Sequence, residues 1–177
     1  MLKILKNKAK NNLMNFRVGL GYDSHKLVDN SINQFPFILG GINIPFVKSC
    51  VAHSDGDVVI HALCDALLGA GGFQDIGTHF PDTDPKYKNI NSQILLHEVV
   101  ELLEKNSWKI NNVDITIILE KPKLSQYKEQ ITNNLATIMK LPTQCVSVKA
   151  KTNEGQDAVG RGEAVVAHVI VSIISNQ

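Results

Sequence analysis

The sequence predicts a two-layer α/β sandwich: one mixed sheet with helices packed on one of its faces. Three observations lead there. Short β-branched and apolar runs alternate with longer stretches whose apolar residues recur at helical spacing. The signals follow the order β-β-α-α-β-α-β-β without a Pro/Ser-rich linker or an internal repeat, a pattern that closes as one sheet covered by helices. The chain has 177 residues, 44% of them hydrophobic and 20% charged. A domain of that size buries roughly 70% of its unfolded surface and needs no disulfides.

Residues 1–15 carry Lys3, Lys6, Lys8 and Lys10, no acidic residue and no apolar signal core. The segment reads as a dispensable extension, with an organelle-targeting remnant as the second reading, and a single domain is expected over 16–177. Residues 16–21 read as a strand followed by a polar turn, Tyr22-Asp23-Ser24-His25. Residues 36–44 read as a second strand, bent at Gly40-Gly41. Ser54 or Asp55 can cap a helix over 58–68 that Gly69, Gly71 and Gly72 end. Residues 74–89 are rich in Asp, Pro and Gly, and read as a loop long enough to be functional.

Over 92–106, Ile94, Leu95, Val99, Leu102 and Leu103 share one side of a second helix. A strand over 113–119 ends in Glu120-Lys121-Pro122-Lys123. Near Ser125 a third helix begins, with Tyr127, Ile131, Leu135 and Ile138 at helical spacing. Residues 146–151 read as a strand, 152–162 as a Gly-rich loop, and 165–174 as a last strand high in β-branched residues.

Composition excludes several classes of function. Eighteen basic residues against seventeen acidic ones leave a net charge of +1, which argues against a general nucleic-acid binder but leaves room for a local phosphate site. No stretch approaches the roughly 20 apolar residues of a membrane span. Cys50, Cys64 and Cys145 form no CxxC pair, which excludes a cysteine zinc knuckle and suits a reducing, cytoplasmic compartment. There is no Walker A pattern, Gly19-x-Gly21 lacks the third glycine of a dinucleotide site, and no Gly-x-Ser-x-Gly elbow occurs.

Three groups of residues remain as candidates for chemistry. Asp23 and His25 lie two apart, so in extended chain both side chains point to one side and can reach one ion. Turn capping and surface placement are the plainer readings. His61 interrupts an apolar helix four residues after Asp57; it reads either as a core histidine or as the third member of a two-His, one-Asp set. Such a set leaves one position open on tetrahedral Zn²⁺, as catalytic zinc requires.

The long loop holds Asp75-Ile76-Gly77 and Phe80-Pro81-Asp82-Thr83-Asp84, suited to the hydroxyls of a polyol, or simply to turns. Lys121, Lys123, Lys149, Lys151, Thr152 and Glu154, with Gly155, Gly160, Arg161 and Gly162, could hold phosphates and a hard divalent cation. Solvated surface lysines are the alternative.

Together, Gly21-Tyr22-Asp23-Ser24-His25, Ala52-His53-Ser54-Asp55-Gly56-Asp57 with His61-Ala62-Leu63, Asp75-Ile76-Gly77, Phe80 to Asp84 and Val148 to Glu154 resemble the 2-C-methyl-D-erythritol 2,4-cyclodiphosphate synthase family. The resemblance implies an enzyme of non-mevalonate isoprenoid synthesis, in which a 2-phosphate attacks the β-phosphorus of a cytidine diphosphate substrate and releases CMP. It implies a homotrimer with active sites between subunits. Asp23, His25 and His61 would hold Zn²⁺, and Glu154 a second ion, Mg²⁺ or Mn²⁺.

His53 and Ser54 would cover the 2-phosphate, with His53 and Thr152 stabilising the transition state. Asp75, Gly77, Phe80, Asp82 and Asp84 would bind the erythritol part. Lys123, Ala150, Lys151 and Thr152 would receive the cytidine diphosphate, and Arg161 would border a central cavity for an isoprenoid diphosphate. The chain departs from the family pattern at Leu124-Ser125-Gln126, Lys151, Asn153, Gly155 and Ala158. Two other readings share the metal ligands: a zinc phosphoesterase that yields a linear product, and a regulatory trimer whose structural zinc takes Cys64 as fourth ligand.

Overall fold

Strand β1 (Phe16–Asp29) runs through the sequence expected to turn at 22–25. Its backbone pairs antiparallel with β7 (Ala164–Ser175) from Phe16↔Ile174 to Lys26↔Ala164. Ladder pairing thus overrides the turn chemistry of Tyr22 to His25, because the alternation of a strand gives each polar side chain a face of its own. The computed structural model describes residues 16–32 and 35–175; the N-terminal extension expected over 1–15 lies outside them.

The remaining strands are β2 (Ile38–Leu39), β3 (Ile42–Asn43), β4 (Lys48–Val51), β5 (Trp108–Ile118) and β6 (Val146–Lys151). The main sheet has the order β4-β1-β7-β5-β6; β5 and β6 run parallel and the other neighbours antiparallel, so the sheet is mixed as expected. Strand β4 gave no usable signal in the sequence. The predicted strand over 36–44 is instead the small β2–β3 hairpin, turned by Gly40 and Gly41 at φ 59° and 77°. Two successive positive φ values favour glycine at both positions.

The helices are α1 (Val58–Gly71), α2 (Ile76–His79), α3 (Ser92–Lys105), α4 (Lys128–Ile138) and α5 (Asp157–Gly160). Short helical pieces therefore interrupt both predicted loops, α2 in 74–89 and α5 in 152–162. Helix α1 lies between the sheet and α3, and ten of its residues, from Val58 to Ala70, are buried. Odd-numbered β7 residues Val165, Ala167, Val169, Val171 and Ile173 face this core and are fully buried. On the other sheet face Phe16, Val18, Leu20 and Tyr22 are each more than half exposed.

The cap of α1 is Asp57, not Ser54 or Asp55. Its carboxylate accepts from Val59 N and Ile60 N, and from Gly40 N at 2.9 Å and Gly41 N at 2.6 Å. Burial pushes the Asp57 carboxyl up, against the pull of these N–H groups. One side chain thus starts the helix and ties the β2–β3 hairpin to it. Asp57→Ala would strand buried donors and remove a cap, so a loss of about 2–3 kcal/mol is expected by urea denaturation.

Candidate functional site

Gly19 and Gly21 decide where α1 sits. A Cβ on Gly19 would stand 1.9 Å from Ala66 O, and one on Gly21 1.8 Å from Ala62 O, so the helix backbone lies directly on β1. Asp23 and His25 continue the same alternating row. His61, one residue before Ala62, is thereby brought over them.

Asp23 Oδ2 is 3.1 Å from His61 Nδ1 and 3.3 Å from His25 Nδ1. The two imidazole rings are 5.2 Å apart, and one ligand atom from each residue lies within 4.8 Å of the others. Burial pushes the Asp23 carboxyl up, but hydrogen bonds from His25 and His61 and their charge outweigh it and hold it well below the usual carboxylate range. For His25, burial favours the neutral ring, and the hydrogen bond and charge of Asp23 raise its pKa in spite of that.

Two imidazole nitrogens and a carboxylate, half-buried and converging, fit Zn²⁺ in a three-ligand site with an open position. Cys64 is not in this group. It is fully buried, and burial together with Asp65 and Asp57 pushes its thiol well above the ordinary value, which keeps it protonated.

The cluster opens on a cavity of about 340 Å³. Its polar lining includes Lys26, His53, Ser54, Asp65 and Asp82, and its apolar lining includes Ile76, Phe80, Tyr87, Ile90 and Leu95. Ser54 turns inward, its Oγ 3.0 Å from His61 Nε2. Asp75 and Asp84 do not line the cavity. Asp75 Oδ1 accepts from Thr78 N and Thr78 Oγ1 at the start of α2, and Asp84 Oδ1 accepts from Lys86 N. For these two, the turn reading describes what the side chains do.

The C-terminal candidates gather elsewhere on the chain. Lys123, Ala150, Lys151 and Thr152 line a second cavity of about 190 Å³ with Glu120 and Pro122; it shares no residue with the first. Glu154 lines neither; it adopts φ 51° and accepts from Thr152 Oγ1 at 2.7 Å. Arg161 is exposed and donates to Glu163 at 2.9 Å. Leu124, where the sequence departs from the resembling family, is buried in the core.

The YgbB family matches residues 16–174, nearly the whole chain. The chain belongs to the YgbB family. A 2-C-methyl-D-erythritol 2,4-cyclodiphosphate synthase of Brachyspira hyodysenteriae is 49% identical over 154 residues, which cover 87% of this chain and 95% of that one. The CDP complex of IspF from Plasmodium falciparum superposes with a TM-score of 0.80 at 34% identity, covering 92% of this chain and 97% of that one. The bifunctional IspDF of Campylobacter jejuni gives a TM-score of 0.86 at 35% identity; the match covers 92% of this chain and 43% of that longer one.

Two residues at the site, Asp65 and Ser92, have no role in the sequence reading. Asp65 follows His61 at i+4, on the same helix face, and spacing could have found it. Its Oδ1 accepts from Ile76 N at 2.8 Å, which fixes the start of α2 at the cavity wall. Ser92 contacts His61 Nε2 at 2.9 Å from 31 residues away, and no local signal points to it.

Proposed function

We propose that this YgbB-family protein is a 2-C-methyl-D-erythritol 2,4-cyclodiphosphate synthase, a phosphorus–oxygen lyase of isoprenoid biosynthesis. Its substrate is 4-diphosphocytidyl-2-C-methyl-D-erythritol 2-phosphate. An oxygen of the 2-phosphate forms a bond to the β-phosphorus, the bond from that phosphorus to the CMP oxygen breaks, and CMP leaves with the electron pair. The observation that carries this reading is the Asp23–His25–His61 cluster opening on a cavity that also holds His53, Ser54, Gly77, Phe80 and Asp82.

Zn²⁺ at Asp23, His25 and His61, with Mg²⁺ or Mn²⁺ at Glu154, supplies Lewis-acid neutralisation of phosphoryl charge when bound. The chain itself holds the reacting groups. His53 and Ser54 close over the 2-phosphate, and Gly77, Phe80 and Asp82 hold the erythritol, with Asp75 and Asp84 shaping that loop through the turns they cap. Lys123, Ala150, Lys151 and Thr152 receive the cytidine diphosphate, with His53 and Thr152 stabilising the transition state. Confining nucleophile and electrophile in one cleft contributes up to roughly 7–11 kcal/mol. The nucleophile is already an anion, so no general base is needed.

The two separate cavities of one chain support a homotrimer in which one subunit's metal cluster meets a neighbour's Lys123-to-Thr152 cavity. The exposed apolar row Phe16, Val18, Leu20 and Tyr22 supports burial of that sheet face between subunits. Arg161 then borders a central cavity able to take an isoprenoid diphosphate. Residues 16–177 act as a single catalytic domain with 1–15 dispensable. A cytoplasmic setting suits three cysteines that form no disulfide; a plastid setting would instead make 1–15 a targeting remnant.

Phosphorus NMR of the purified protein with substrate, Zn²⁺ and Mg²⁺ tests this. A cyclic diphosphate appearing together with CMP, and stopped by a chelator, is the expected result. A linear phosphate with CMP would replace the synthase by a hydrolase, and no turnover by a metal-loaded trimer would favour a regulatory protein.

A further inference from the structure

We propose that Asp55 and Ser92 are positioning residues that orient His61 for the cation, acting through the imidazole nitrogen that faces away from the cluster. The proposal rests on Asp23, His25 and His61 being a cation site. His61 has one nitrogen on each side of its ring. Nδ1 points to Asp23, and Nε2 lies 2.9 Å from Ser92 Oγ and 3.0 Å from Ser54 Oγ. Ser92 is the first residue of α3 and is fully buried.

The direction of these hydrogen bonds follows from Asp55. Its Oδ2 accepts from Ser92 N at 2.9 Å, its Oδ1 accepts from Asp57 N at 3.2 Å, and the same Oδ1 takes a short bond from Ser92 Oγ. Both carboxyl oxygens already accept a backbone N–H, so they act as acceptors here and the Ser92 hydroxyl donates to them. Ser92 Oγ is then left to His61 as an acceptor, so the 2.9 Å contact needs a proton on Nε2, which Ser54 Oγ at 3.0 Å also accepts. Nδ1 is thereby left to the cluster: it bonds Asp23 Oδ2 at 3.1 Å, and a cation at the point where the ligand atoms of Asp23 and His25 converge would take the place of the proton in that bond. Outer partners that fix the tautomer of a metal-binding histidine typically change metal affinity about 10- to 100-fold when removed.

Asp55 is placed for this by the backbone around it. Asp55 N donates to Ile90 O at 3.1 Å, and Asn89 N donates to His53 O at 2.8 Å, so the 53–55 segment is stitched to the chain entering α3. The carboxylate meets the hydroxyl across a gap of 37 residues in sequence.

Asp55→Asn tests hydrogen-bond direction with every heavy-atom position kept. Of the two backbone N–H groups on the carboxylate, Ser92 N at 2.9 Å is nearer than Asp57 N at 3.2 Å, so the amide oxygen of Asn faces Ser92 N, the amide NH₂ faces Ser92 Oγ, and Asp57 N loses its acceptor. The Ser92 hydroxyl then donates to His61 Nε2, which moves the ring proton onto Nδ1, against the cation. Zinc affinity of the metal-stripped full-length protein is measured by competition with a chromophoric chelator, and the melting temperature of each metal-free protein separately. Asp55→Asn and Ser92→Ala are each expected to weaken zinc about 10- to 100-fold, while the metal-free Asp55→Asn stays folded and melts only about 2–4 °C below wild type for the lost Asp57 N bond.

If both variants fold and bind zinc like wild type, the relay is overturned. Failure of both to fold would make the pair structural and overturn it as well. A wild type that takes up no zinc would remove the cation site itself, and the proposal with it.

Discussion

Asp23→Asn is expected to lower turnover about 1,000-fold or more and to abolish stoichiometric zinc. The carboxylate lies within 3.3 Å of both His25 Nδ1 and His61 Nδ1, and it is the negative charge of the ligand set. Asn keeps the size and shape of the side chain, so β1 and its pairing with β7 should survive, but the charge that favours a dication is gone. Metal-assisted phosphoryl chemistry draws several kcal/mol from charge neutralisation, and each 1.36 kcal/mol or so is tenfold in rate. Phosphorus NMR gives the rate and elemental analysis the zinc content. Full activity in the variant would remove Asp23 from the ligand set.

Gly21→Ala is expected to cost about 3 kcal/mol or more, lowering the melting temperature by roughly 10 °C. The added Cβ would lie 1.8 Å from Ala62 O and 2.8 Å from Ala66 N, both backbone atoms of α1, so no side chain can swing away. The helix would have to lift off β1, and His61 would move with it. Any variant protein that remains folded should therefore also bind zinc more weakly.

Gly69→Ala supplies a contrast of opposite sign. It lies in α1, with nothing beyond its chain neighbours and its own helix backbone within 4 Å of the added Cβ, and an alanine there should stabilise by roughly 0.5–1 kcal/mol. Calorimetry of the two variants side by side checks both; a Gly21→Ala protein as stable as wild type would mean that the helix does not pack on the strand this closely.

The outer limits of β6, α3 and β7 were legible because their apolar periodicity is local and strong. Val146–Lys151 was read residue for residue, and Ser92–Lys105 to within one residue. The turn expected at 22–25 was misread because Asp, Ser and His carry local turn and cap chemistry. Eleven pairings with β7 outweigh that chemistry, and they involve residues about 140 positions away. Strand β4 was missed for a related reason: Lys48–Val51 is short and pairs only at the end of β1.

The Asp23–His25–His61 cluster illustrates the same division at the site. Asp23 and His25 could be paired from strand alternation alone, and His61 marked as the odd residue of an apolar helix. The carboxylates of 75–84 looked alike in sequence, yet Asp82 lines the cavity while Asp75 and Asp84 cap turns.

By itself the sequence determined the fold class, the residue types of the Asp-His-His cluster and the family, because these depend on local periodicity and on short motifs kept in order. Only the tertiary structure decided that α1 rests on two glycines of β1, that Asp55 and Ser92 stand behind His61, and that Lys123 to Thr152 form a cavity apart from the cluster. Those facts depend on backbone contacts and hydrogen bonds between residues tens of positions apart. Local propensity carries no record of such distances; they are set when the sheet and its helices close around one core.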